Sequence, residues 1–154
     1  MMKIKTNRMM AKFCPNGFEE TDVQIPKEIL KILRAGLVYM DGCVYLKKLL
    51  SKTSMNEAVY GEKNGSEKTG REFSINHFHI DFYTDNQWGE IAFAFLRELN
   101  KQLRAEFPMQ QFRGIFSVNE DSCTIRFHMV RPGEDWIDNE LEHYKEDGVC
   151  VIDF

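Results

Sequence analysis

Two groups of side chains have the types and spacing to do chemistry. The first is a set of histidines. His77, His79 and Asp81 stand at alternate positions of one short apolar-polar run, and Arg126 and His128 at alternate positions of another. Side chains at period two share a face of a strand. If the two strands are neighbours, the five groups converge, and imidazole beside carboxylate is what metal ligation or acid–base catalysis uses. Against that stand Arg113 and Arg126, whose charge would repel a divalent cation. The expectation is therefore a polar, solvated sheet face on which His77, His79 and His128 are each at least partly accessible and hold no metal. No Gly-x-Ser-x-Gly elbow, phosphate-binding loop or dinucleotide fingerprint occurs in the chain. No catalytic residue and no cofactor is assigned, and a non-enzyme is expected. A small enzyme working through the His77, His79, Asp81, Arg126 and His128 face is the alternative.

The second group is acidic. Glu134 to Asp147 holds seven carboxylates against one lysine, interleaved with Trp136, Ile137, Leu141 and Tyr144. The chain's net charge is −4, and it is unevenly spread: residues 1–71 carry +5 and residues 72–154 carry −9. Such a patch repels nucleic acid. It suits a basic protein, because carboxylates steer a cationic partner and an aromatic side chain supplies a desolvated anchor. Asp135, Trp136, Asp138, Glu140, Glu142 and Tyr144 are the candidate partner-binding residues. The plainer reading is a solvated amphipathic helix with its aromatic side packed underneath.

With its small size, acidity and acidic-aromatic segment, and with no catalytic motif, the chain resembles the immunity proteins of bacterial contact-dependent and other polymorphic toxin systems. The resemblance is to the class as a whole and rests on no residue motif. It implies a protein that neutralises a cognate toxin, such as a nuclease whose electropositive active site an acidic surface can occupy. A non-catalytic interaction or regulatory domain, joined as a homodimer through sheet edges, is the other binding reading.

The elements that must position these groups follow from pattern. The 154 residues are 43% apolar and 29% charged, which suits one domain with one core. No apolar run reaches the roughly 18 residues of a membrane span. Met1-Met2-Lys3-Ile4-Lys5 lacks the apolar stretch of a secretory signal. The expected location is cytoplasmic, with no membrane partner. Cys14, Cys43, Cys123 and Cys150 are widely spaced, so free buried thiols are expected.

Lys3 to Thr6 alternates as a short strand, and Pro26 to Gly36 reads as a short helix. Leu37 to Leu46, broken by Asp41-Gly42, predicts a hairpin; a continuous helix would have to bear Gly36 and Gly42 in its interior. Residues 61–71 read as a polar, glycine-rich loop. Ser74 to Tyr83 predicts a strand. Thr84 and Gln87 predict a capping box, opening an amphipathic helix over 86–107 that Pro108 stops. Phe112–Val118 and Cys123–Val130 predict a hairpin in which Val118 faces Cys123, Phe116 faces Ile125, Gly114 faces Phe127 and Phe112 faces Met129. A short helix around Trp136 to Tyr144 and a strand over 149–154 complete the chain. The sum is a single α+β domain, a largely antiparallel sheet with the 86–107 helix on its apolar face.

Overall fold

The computed structural model describes residues 2–18, 22–50 and 68–154. Its strands are β1 (Lys3–Thr6), β2 (Leu37–Met40), β3 (Cys43–Leu46), β4 (His77–His79), β5 (Phe112–Val118), β6 (Cys123–Met129) and β7 (Gly148–Asp153). The helices are α1 (Met10–Phe13), α2 (Lys27–Arg34), α3 (Lys68–Ile75) and α4 (Trp88–Glu106). β1, β7, β5, β6 and β4 form, in that order, one antiparallel sheet. β2 and β3 form a separate hairpin. This is a single α+β domain.

The β5–β6 register is the one its apolar pattern demands, from Phe112 opposite Met129 to Val118 opposite Cys123. Slipping by one residue would turn Phe116, Ile125 and Phe127 out of the core. α4 lies across that inner face. Phe95 and Leu99 are fully buried there, and Phe95 meets Phe78 edge-on at 4.9 Å between ring centres. Phe93 and Ala94 are buried too, because a second layer wraps the helix. The Phe18 ring meets Phe93 at a tilt, 5.1 Å between ring centres, and Gln102 donates to the Leu33 carbonyl at the end of α2. The β2–β3 turn has Asp41 at φ 52° and Gly42 at φ 77°, the paired positive angles of a type I′ turn.

Several expectations are corrected. Residues 61–67 of the expected loop lie outside the described residues, and 68–71 begin α3. The expected strand 74–83 is reduced to His77–His79; Ser74 and Ile75 end α3, and Ile80–Phe82 is a 3₁₀ turn. The reason lies along the edge of β6, where side chains replace a partner strand. Asp81 Oδ1 accepts the Cys123 N–H at 2.8 Å, Asn76 Nδ2 donates to the Phe127 carbonyl at 3.4 Å, and Glu72 Oε1 accepts the Met129 N–H at 3.0 Å. Only three residues of backbone pairing remain between them. The capping box is absent. Gln87 takes φ 56° with no side-chain cap, and the Trp88 indole donates to the Thr84 carbonyl instead.

Candidate functional site

The second face of the sheet is covered, not solvated. Residues 134–147 cross it as an irregular strap. Leu141, Ile137 and Tyr144 pack on Ile115, Val149 and Val151, with Phe73 of α3 beside them. The expected helix around Trp136 to Tyr144 is only a 3₁₀ turn at Leu141–His143. Short polar side chains take the amides a helix would need: Asp138 Oδ1 accepts from Glu140 N–H at 2.9 Å, and Glu140 Oε1 from Glu142 N–H at 3.2 Å.

One buried residue ties the strap down. Asn7, at the end of β1, donates through Nδ2 to the carbonyls of Leu141, Tyr144 and Asp147 at 3.2, 3.0 and 2.8 Å. Its Oδ1 accepts from Val149 N–H at 2.9 Å and Met10 N–H at 3.3 Å. Every hydrogen-bonding position of that amide is used, as burial demands.

The six candidate partner-binding residues divide by what they touch. Asp135 and Asp138 are exposed, and with Trp136, Ile137, Tyr144 and Gly133 they line an open depression of about 650 Å³. Trp136 is 43% exposed. Its ring lies 5.6 Å from that of Phe73 and close over α3, where a Cβ at Gly70 would fall 2.6 Å from it. Tyr144 is half-buried and its hydroxyl accepts the Asp138 N–H at 2.9 Å. Asp138 also accepts from His143 Nδ1 at 2.7 Å, which lowers its own pKa and raises that of the imidazole. Glu142 turns away from the depression: both its oxygens accept the Arg8 N–H, at 3.1 and 3.0 Å. Glu140 is exposed but also serves the turn. Asp135, Trp136, Asp138 and Tyr144 are thus one patch, and Glu140 and Glu142 hold the strap in shape.

The histidine set is only partly assembled. β4 and β6 are neighbours, with His77 opposite Arg126 and His79 opposite Thr124. His77 and His79 are half-buried, their rings 5.2 Å apart. Burial first, then the charge of Arg126 and the neighbouring imidazole, bring the His77 pKa down to about 4. His79 Nδ1 bonds Asp81 at 3.2 Å and its ring stacks on the exposed Phe82. His128 departs from expectation. It is 2% exposed, lies beside the Phe73 ring, and bonds the Met129 carbonyl through Nδ1. Phe73 of α3 lies over it on this face. Among the described residues, no group of three or more His, Cys, Asp or Glu is placed to hold a metal ion.

All four cysteines are buried and none forms a disulfide. Burial, with Glu90 nearby, pushes the Cys14 thiol up to about 12, far from the thiolate a nucleophile needs. No helix among the described residues is long and apolar enough to cross a membrane.

Pattern reading missed a polar network beneath α3. Glu72 is fully buried; its Oε2 accepts the Val44 N–H at 2.8 Å and its Oε1 meets Arg131 Nη1 at 2.6 Å. Arg131 further donates to the Thr69 hydroxyl and the Gly42 carbonyl. Four residues on, Asn76 accepts from Leu46 N–H and donates to the Val44 carbonyl. Glu72 and Asn76, one helical turn apart, therefore join the edge of β3 to the edge of β6. The available signal was that Glu72 and Asn76 share a helical face with Thr69 and Ile75, which strand periodicity conceals.

No solved structure matches the chain. The protein is similar to Uncharacterized protein PM0498 of Pasteurella multocida (strain Pm70), with 29% identity over 116 residues, 71% of this chain and 72% of that protein. The profile of one family spans nearly the whole domain, both edges of the sheet and the strap included, matching residues 5–154; the chain belongs to the Uncharacterized protein PM0498 family.

Proposed function

We propose that this protein is a non-catalytic binding protein that takes a cationic protein partner on its acidic strap, in the manner of toxin-neutralising immunity proteins, with a nuclease toxin as the target. One observation carries the reading. Asp135 and Asp138 stand exposed around the Trp136 and Tyr144 rings in an open depression. Carboxylates over an aromatic surface suit a lysine or arginine side chain, which gains Coulomb attraction and a cation–π contact together. The strap is fixed by Asn7 before any partner arrives, which limits the ordering cost of binding.

The experiment begins with capture from the source cell and identification of a bound toxin, which the reading expects to be encoded next to this gene. Association of the purified pair is then followed against salt for the wild type and for the double variant Asp135→Lys, Asp138→Asn, which removes the charge of the patch and keeps the Oδ1 acceptor of the Glu140 N–H. The expected result is slower association and a flatter salt dependence in the variant, with its fold intact. An unchanged rate and salt slope would remove the strap from the interface. A captured partner without toxic activity would overturn the immunity role.

A further inference from the structure

Under the strap lies a second, smaller space. A cavity of about 140 Å³ is bounded by the sheet below and the strap above. Its floor includes Ser117 and Thr124, whose hydroxyls bond each other at 2.9 Å, and Arg126. Trp136, Ile137 and Tyr144 of the strap line it as well, with Phe73 at the side. Asp147 stands at the opposite end from Arg126. It precedes Gly148, which pairs with Val118, whereas Arg126 pairs with Ile115, three residues earlier in β5. A space of this size takes a single benzene-sized ring.

Arg126 is the unexplained group. Its neighbours on this side of the sheet are neutralised: Arg113 makes a two-pronged pair with Asp153 at 2.7 and 3.2 Å, and Arg131 pairs with Glu72. Arg126 is also partly buried, yet among the described residues no carboxylate pairs with it. Its Nη1 donates to the Phe73 carbonyl at 3.0 Å, and its guanidinium lies 4.2 Å from the centre of the Phe73 ring. Those contacts hold one end of a fork that has five N–H donors. A half-buried guanidinium facing a cavity, with no counter-charge among the described residues, is a costly arrangement for folding alone.

We propose that this cavity binds a small organic carboxylate with a flat apolar body, its anionic end on Arg126 and a cationic or donor group at its far end toward Asp147. The guanidinium supplies the planar two-donor match to a carboxylate. The Ser117 and Thr124 hydroxyls can turn to donate or accept. The aromatic strap and Phe73 suit a ring between them. Asp147 opposes a second negative charge, which disfavours phosphate-rich ligands and favours a zwitterion.

The test uses the whole protein and four probes: 4-(aminomethyl)benzoate, benzoate, benzylamine and inorganic phosphate. Binding is followed by calorimetry and by backbone amide NMR shifts. The zwitterion is expected to bind saturably, benzoate more weakly, and benzylamine and phosphate not at all, with shifts confined to Thr124, Arg126 and the strap. Arg126→Gln should weaken the zwitterion at least about tenfold. Because Arg126 also supports Phe73, Ser117→Leu, which fills the cavity and keeps Arg126, serves as the second variant and should abolish binding in a folded protein. No binding of either carboxylate at about 10 mM, phosphate binding as well as the zwitterion, or undiminished binding in folded Ser117→Leu would each overturn the assignment.

Discussion

Glu72 Oε1 lies 2.6 Å from Arg131 Nη1, and the same carboxylate accepts backbone N–H bonds from both Val44 and Met129. The pair is the joint between the β2–β3 hairpin and the main sheet. Glu72 is fully buried, so its charge is held by three donors rather than by water. Such a pair is strong evidence of a specified arrangement and weak evidence of net stability.

Removing one partner is therefore expected to cost more than removing both. Glu72→Ala leaves the Arg131 charge and two amides unpaired, and should destabilise by about 3–5 kcal/mol. The double variant Glu72→Met, Arg131→Met should recover part of that loss. Urea unfolding of the three proteins checks the order; a single variant as stable as the wild type would show that the pair is not held as described.

Phe95 is fully buried and packs edge-on against Phe78 between α4 and the sheet. Phe95→Ala should lose about 3–5 kcal/mol, a large part of the stability of an ordinary domain. A melting temperature close to that of the wild type would count against this packing.

Asn7→Ala removes five hydrogen bonds that fasten the strap and the start of β7. The expected loss is about 2–3 kcal/mol, because buried carbonyls are left without donors. Amide exchange should quicken at Glu142–Val149 while the β5–β6 hairpin keeps its protection. Uniform loss across the domain would mean that Asn7 supports the whole fold and not the strap.

Acid should weaken the protein through His77. Its pKa is brought down to about 4 in the fold, against about 6.5 in the unfolded chain. Between those values the unfolded state binds more protons, so stability rises with pH there. It is lost as pH falls from about 6.5 and levels off below about 4. With a half-buried ring and solvent screening, the span is about 1–2 kcal/mol. His77→Gln should flatten this limb of the stability–pH curve, which denaturant titrations at pH 4 to 7 would show.

Local pattern determined much of this protein. The β5–β6 register was legible because each paired position from Phe112 to Met129 on one face is apolar or glycine. α4 was legible over Trp88–Glu106 because its stripe is long and Pro108 ends it. The β2–β3 hairpin followed from Asp41-Gly42, which accepts the positive φ angles of its turn. In each case residues near in sequence state the structure by themselves.

Only the tertiary structure decided the rest. Ser74 to Phe82 alternates like a strand, yet Glu72, Asn76 and Asp81 spend their side chains on the edge of β6, so just His77–His79 pairs. The strap reads as an amphipathic helix until Asn7, more than 130 residues earlier in the chain, takes three of its carbonyls. His128 reads as a solvated face residue until Phe73 of α3 comes against it and it is buried. A sequence pattern reports which residues prefer burial. It does not report which distant polar side chain will satisfy a buried backbone group, and that choice set the strap, the acidic patch and the cavity beneath it.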